Sequence, residues 1–108
     1  MARPPLFRIK RCCLTGRVVF TSKADDERVA SGLSHDDVIE AVVNAPALYK
    51  TLRSRSTARA VRTERLYVVV GLTHDAVIVY TKGALRRVAG EDYFYIFISA
   101  KRFIDEPR

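Results

Sequence analysis

The 108-residue chain predicts an α+β domain, two helices in its N-terminal half packed on an antiparallel sheet of about four strands. Three observations lead there. Apolar residues recur at helical spacing behind capping signals between residues 22 and 44. From residue 48 onward the pattern changes to alternation rich in β-branched and aromatic side chains. Short links join the last three strand-like runs, which makes them antiparallel neighbours.

Ser22 and Asp25 form a capping-box pattern and Gly32 suits a C-cap, so a short helix is expected near 22–31. Ser34 followed by Asp37 is the clearer start signal. It precedes Val38, Ile39, Val42 and Val43, and Asn44-Ala45-Pro46 ends the run. Acids in both first turns sit where the helix dipole favours negative charge. Next, Leu48, Lys50 and Leu52 alternate with Tyr49, Thr51 and Arg53 as a strand does, and 54–61 is small and polar, a loop or a poor edge. Strands are expected at 66–72, 76–82 and 93–101, with links at Thr73-His74-Asp75 and Ala89-Gly90-Glu91-Asp92. Gly83 either bulges a strand that continues through Leu85 and Arg87 or ends it.

The length suits one domain, divided into a basic extension over residues 1–17 and a single folded domain over 18–108. An apolar content of 48% is enough for one core and argues against disorder. No apolar run approaches the length of a membrane span, and Lys10 and Arg11 interrupt the N-terminal stretch, so neither a membrane partner nor a signal peptide is expected. The expected location is the cytoplasm. Cys12 and Cys13 are adjacent and His35 and His74 are far apart in sequence, a poor set for zinc, and no cofactor is expected.

The net charge of +7 is unevenly placed. Residues 1–17 contain Arg3, Arg8, Lys10, Arg11 and Arg17 and no acid; residues 50–65 contain Lys50, Arg53, Arg55, Arg59, Arg62 and Arg65 against Glu64. Between them, Asp25, Asp26, Glu27, Asp36, Asp37 and Glu40 make the helical stretch acidic. Such polarity suits one positive face meeting a phosphate backbone. Without a metal, the reaction most accessible to a basic site is RNA scission by the neighbouring 2′-hydroxyl. It needs a base, positive charge on the phosphoryl oxygens and an acid for the departing 5′-oxygen, and DNA lacks the attacking group.

Period-2 alternation puts Ile78, Tyr80 and Lys82 on one strand face. It also groups Tyr93, Tyr95, Phe97, Ser99 and Lys101, an aromatic-then-polar set expected to be the open face for stacking bases, against Phe94, Ile96, Ile98 and Ala100, the expected core face. His74 is expected to be a turn residue rather than a base, and His35 a surface residue. Arg86 and Arg87 point to opposite faces if their strand continues.

The order of motifs resembles the MqsR-type toxins of bacterial toxin–antitoxin pairs, within the RelE-like ribonuclease class. The likeness runs from VVFTSKA (18–24) to Leu48-Tyr49-Lys50-Thr51-Leu52, resumes at Tyr80-Thr81-Lys82 and closes at Ser99-Ala100-Lys101, spanning about four-fifths of the chain. It implies a metal-independent mRNA interferase held by a cognate antitoxin, with mRNA as substrate and Lys50, Tyr80 and Lys101 as catalytic residues. Where the family has a glutamine in the strand before the tyrosine, this chain has Tyr67 or a neighbour. Arg53, Arg55, Tyr67, Lys82, Arg86, Tyr95 and Arg102 are the expected RNA-binding residues. A non-catalytic RNA- or ribosome-binding module with the same basic face is the alternative, and a domain that binds only an acidic protein is the third.

Overall fold

The computed structural model describes residues 3–53, 64–88 and 92–103. The elements in order are α1 (Pro5–Leu14), β1 (Val18–Phe20), α2 (Ser22–Ala30), α3 (His35–Asn44), β2 (Lys50–Arg53), β3 (Arg65–Leu72), β4 (Ile78–Val88) and β5 (Asp92–Arg102). The α+β class is as the sequence predicts. Among the described residues there are three helices rather than two and five strands rather than about four, and the sheet is mixed, with order β1-β5-β4-β3-β2. Only the β1–β5 pair is parallel; the other three are antiparallel.

Local chemistry accounts for the helix ends. Thr21, one residue before the expected cap, accepts from the Ala24 N–H and starts α2. At the other end Gly32 adopts φ 74°. Its N–H reaches the Val29 carbonyl while the Leu33 N–H reaches that of Arg28, closing a Schellman motif. In α3 the Ser34–Asp37 capping box is formed in both directions, with bonds of 3.0 and 2.9 Å. Residues 5–14 have no side-chain cap at their start. They nevertheless form α1, with Pro5 at its first position, and bury Ile9, Cys12 and Cys13 in the core.

The helix-packed core joins Ile9, Ala24, Val38, Ala41 and Val42 to Val69, Val79, Tyr95, Phe97 and Ala100 of the sheet. Burying each of its larger aliphatic side chains contributes roughly 1.5–3 kcal/mol. The helices supply mostly small residues, and the sheet supplies the rings that fill the space. Gly71 lets α3 approach closely, because a Cβ there would stand 1.8 Å from the Ala41 carbonyl oxygen.

The faces of β5 differ from the expectation. Tyr95 and Phe97 are fully buried on the helix side, whereas Phe94, Ile96 and Ile98 are only half-buried. The cause is a register shift: Lys82 pairs with Ser99 but Gly83 pairs with Phe97, so Ile98 is an extra residue in β5. The bulge inverts the alternation beyond it. Tyr93, Tyr95 and Phe97 therefore face the helices, while Ser99 and Lys101, of the same parity, reach the opposite face. Gly83 does not end β4, which continues to Val88.

Helix α2 covers the edge of β5 that β1 leaves unpaired. Glu27 accepts from the Ser99 hydroxyl (2.5 Å) and the Ala100 N–H (3.1 Å), and the Ser31 hydroxyl accepts from the Arg102 N–H. Burial acts to raise the Glu27 pKa, but the bonds from Ser99, Lys23 and Ala100 outweigh it and hold the carboxyl below its ordinary value. No described helix is long and apolar enough to cross a membrane.

Candidate nucleic-acid interface

The face of the sheet opposite the helices is built in rows, since residues paired in register point the same way. One row is Lys50, Val68, Lys82 and Ser99; the next is Val70, Tyr80 and Lys101. A third begins with Leu72 and Ile78 and ends at Phe103, whose N–H donates to the Ile78 carbonyl at 2.9 Å. Successive rows lie roughly 7 Å apart, twice the rise per strand residue. Valines of β3 thus form a floor between Lys50 on one side and Tyr80, Lys82 and Lys101 on the other.

The structure places the three residues expected to be catalytic on one face of the sheet. Tyr80 and Lys101 are direct cross-strand partners, with the Lys101 ammonium 5.7 Å from the Tyr80 ring centre. Lys50 lies across β3 in the adjacent row, its ammonium 6.0 Å from the Tyr49 ring centre. Lys82 shares the row of Lys50. None of Lys50, Lys82 and Lys101 forms an ion pair with a described acid. Among the described residues their positive charge is unpaired and lies on one face, as suits a phosphate-binding surface. A concavity of about 340 Å³ is lined by Tyr80, Lys101, Arg102 and Phe103.

Other expected RNA contacts fall elsewhere. Tyr95 is fully buried and donates its hydroxyl to the Tyr67 carbonyl at 3.3 Å; burial pushes its phenol far up in pKa. It is a core residue and not an RNA-facing one. Tyr67 pairs with Gly83 and packs against the core, so it points away from Lys50 and Tyr80. The position compared with a glutamine is therefore not filled by Tyr67 on the open face. Arg86 lies on that face but is engaged by Glu64 through two bonds of 2.9 and 3.1 Å, which raise its pKa. Arg87, on the other face, stacks on Tyr93. Arg53 is exposed at the end of β2 opposite Arg65, but it alternates with Lys50 and Leu52 and so points to the side of the sheet that Tyr67 faces, away from the lysines; Arg102 is exposed and lines the concavity. Arg55 lies outside the described residues.

Both histidines hold acids. His35 is 2.9 Å from Asp25, and His74 both donates its N–H to Glu40 and holds the same carboxylate through its ring. Neither joins the lysine cluster. Among the described residues no three His, Cys, Asp or Glu side chains converge as a metal site.

Two aromatic residues beside the site are not expected from the sequence. Phe103 stands 6.1 Å from Tyr80 and 6.0 Å from Tyr49, ring centre to ring centre, and links them. The available signal was parity, because Phe103 follows Ser99 and Lys101 at strand spacing just beyond the expected strand end. Tyr49 is expected only as a strand residue alternating with Lys50, with no part in the site. Compared with known proteins, the chain matches no family model, no curated protein and no solved structure.

Proposed function

We propose that this protein is an endoribonuclease of the mRNA interferase kind, working in the cytoplasm and held in check by an antitoxin protein. The observation that carries the reading is the pairing of Tyr80 with Lys101, one row from Lys50 and Lys82, on a sheet face whose lysines pair with no described acid. The substrate 2′-oxygen forms a bond to phosphorus while the bond from phosphorus to the 5′-oxygen breaks. The 2′-hydroxyl proton passes to a base, and another proton reaches the departing 5′-oxygen, leaving a cyclic phosphate and a free 5′-hydroxyl. Lys50 and Lys101 neutralise the phosphoryl oxygens, and Tyr80 shares the proton transfer. Lys82, and Arg102 at the wall of the concavity, extend the phosphate track.

The test is incubation of the purified protein with mRNA in the presence of a chelator. Cleavage is expected, and Lys50→Ala, Tyr80→Phe and Lys101→Ala should each abolish most of it while leaving the fold intact. Full activity in all three variants would rule out the site.

The inward orientation of Tyr67 favours a second reading, a non-catalytic RNA- or ribosome-binding module using the same lysines. It requires steeply salt-dependent binding with RNA recovered uncut.

A further inference from the structure

We propose that Phe103 is a stacking platform for the nucleobase next to the phosphate held by Tyr80 and Lys101, which makes it a positioning residue for RNA. The inference rests on the RNA-cleaving reading and adds to it the part of the substrate that is not phosphate.

Phe103 is anchored by its backbone to Ile78 and is 38% exposed. It separates two concavities of different character. One, described above, carries Tyr80 and Lys101 and suits an anion. The other, of about 290 Å³, is lined by Ala76, Val77, Ile78, Arg102 and Phe103. Apart from Arg102 the side chains that line it are apolar, and Leu72 and Ile78, in the same row as Phe103, are about half exposed. A cation row bordered one strand repeat away by exposed flat and aliphatic side chains is the arrangement that holds a charged backbone beside its bases.

The backbone behind this second concavity is strained. Ala76 adopts φ 66°, the only described non-glycine residue with positive φ. A left-handed backbone is costly for a residue with a Cβ, and such strain persists where the surroundings over-determine it. Here they do. The buried Thr73 donates its N–H to the Val77 carbonyl and accepts from the Ala76 N–H, and its hydroxyl accepts from the Val77 N–H. The turn is thereby fixed, with its methyl-sized side chain at the wall of the concavity. A protein-docking patch would use the same apolar residues without needing the adjoining lysines, and that adjacency favours a nucleotide.

The probe is a short RNA made uncleavable by 2′-O-methylation, carrying a single abasic site moved along the strand. With wild-type protein, one abasic position should weaken binding about tenfold, as loss of one stacked base does. In Phe103→Ala that penalty should vanish while the other positions keep theirs; Phe103→Trp should retain it. Phe103→Leu, which keeps apolar bulk without a flat ring, should behave like Phe103→Ala. If Phe103→Ala and Phe103→Leu bind RNA with the wild-type pattern of abasic penalties, the platform assignment is wrong and the lysine site stands. Absence of RNA binding by the wild type would overturn both.

Discussion

The Tyr95 ring lies across Gly83 on the neighbouring strand. A Cβ at Gly83 would stand 2.6 Å from the ring's Cζ and 2.5 Å from the Ile96 carbonyl oxygen, so the glycine is what gives the ring its place. The ring spans β4 and delivers its hydroxyl to the Tyr67 carbonyl on β3. Gly83→Ala is therefore expected to destabilise by about 1–3 kcal/mol through overpacking. Tyr95→Phe should lose about 1 kcal/mol with one hydrogen bond. Urea denaturation measures both. RNA cleavage by Tyr95→Phe should remain at the wild-type level, in contrast to Tyr80→Phe.

Charge that is already paired contributes less to phosphate binding than charge that is not. Lys82→Ala is expected to lower the slope of log affinity against log salt by about 0.7, the counterion share of one single-strand phosphate contact. Arg86→Ala, whose guanidinium Glu64 already holds, should change the slope less. Fluorescence anisotropy of a labelled single-stranded RNA over a salt series separates the two. Equal slope changes would contradict the placement of free charge on the Lys50–Lys82 row.

Acid should loosen the seam between α2 and β5. The Glu27 carboxyl is held below its ordinary value of 4.5 in the folded chain. Its contribution to stability is thus complete above that value and lost as pH falls through the folded pKa. Comparing urea midpoints between about pH 6 and pH 3, Glu27→Gln should show a shallower decline than the wild type. Identical pH profiles would mean that Glu27 does not tie α2 to the sheet.

The cysteines report on α1. Burial, reinforced by the neighbouring Cys12, pushes the Cys13 thiol up to about 12, and both side chains are buried. Since the thiolate is the reactive form, both cysteines should resist a thiol reagent in the native protein and react once α1 leaves the core. Labelling rates followed across a urea series measure this. Rapid labelling without denaturant would show that α1 does not stay packed.

The helix boundaries after residue 21 were legible because they depend on local chemistry: Ser34 with Asp37, and Gly32 after Ala30. So was the open-face placement of Tyr80, Lys82 and Lys101, each by alternation. The aromatic half of β5 was misread for a physical reason. A bulge is set by the partner strand, and nothing within residues 93–101 marks Ile98 as the extra residue. Without that residue, Tyr95 and Lys101 are assigned a common face, and exposing Lys101 exposes Tyr95 as well. The strand β1 was equally hidden, since three residues carry little pattern and its partner is the last strand.

That pairing of the first strand with the last has a consequence for the order of events in synthesis. Val18 pairs with Tyr95 and Phe20 with Phe97, so α1, β1 and α2 leave the ribosome long before the strand they dock on. Contacts so distant along the chain form late, and until then α1 and α2 lack the strand that they cover. The same strand brings Lys101 to Tyr80. A growing chain thus acquires its complete core and its pair of facing site residues in one step, and an unfinished copy possesses neither.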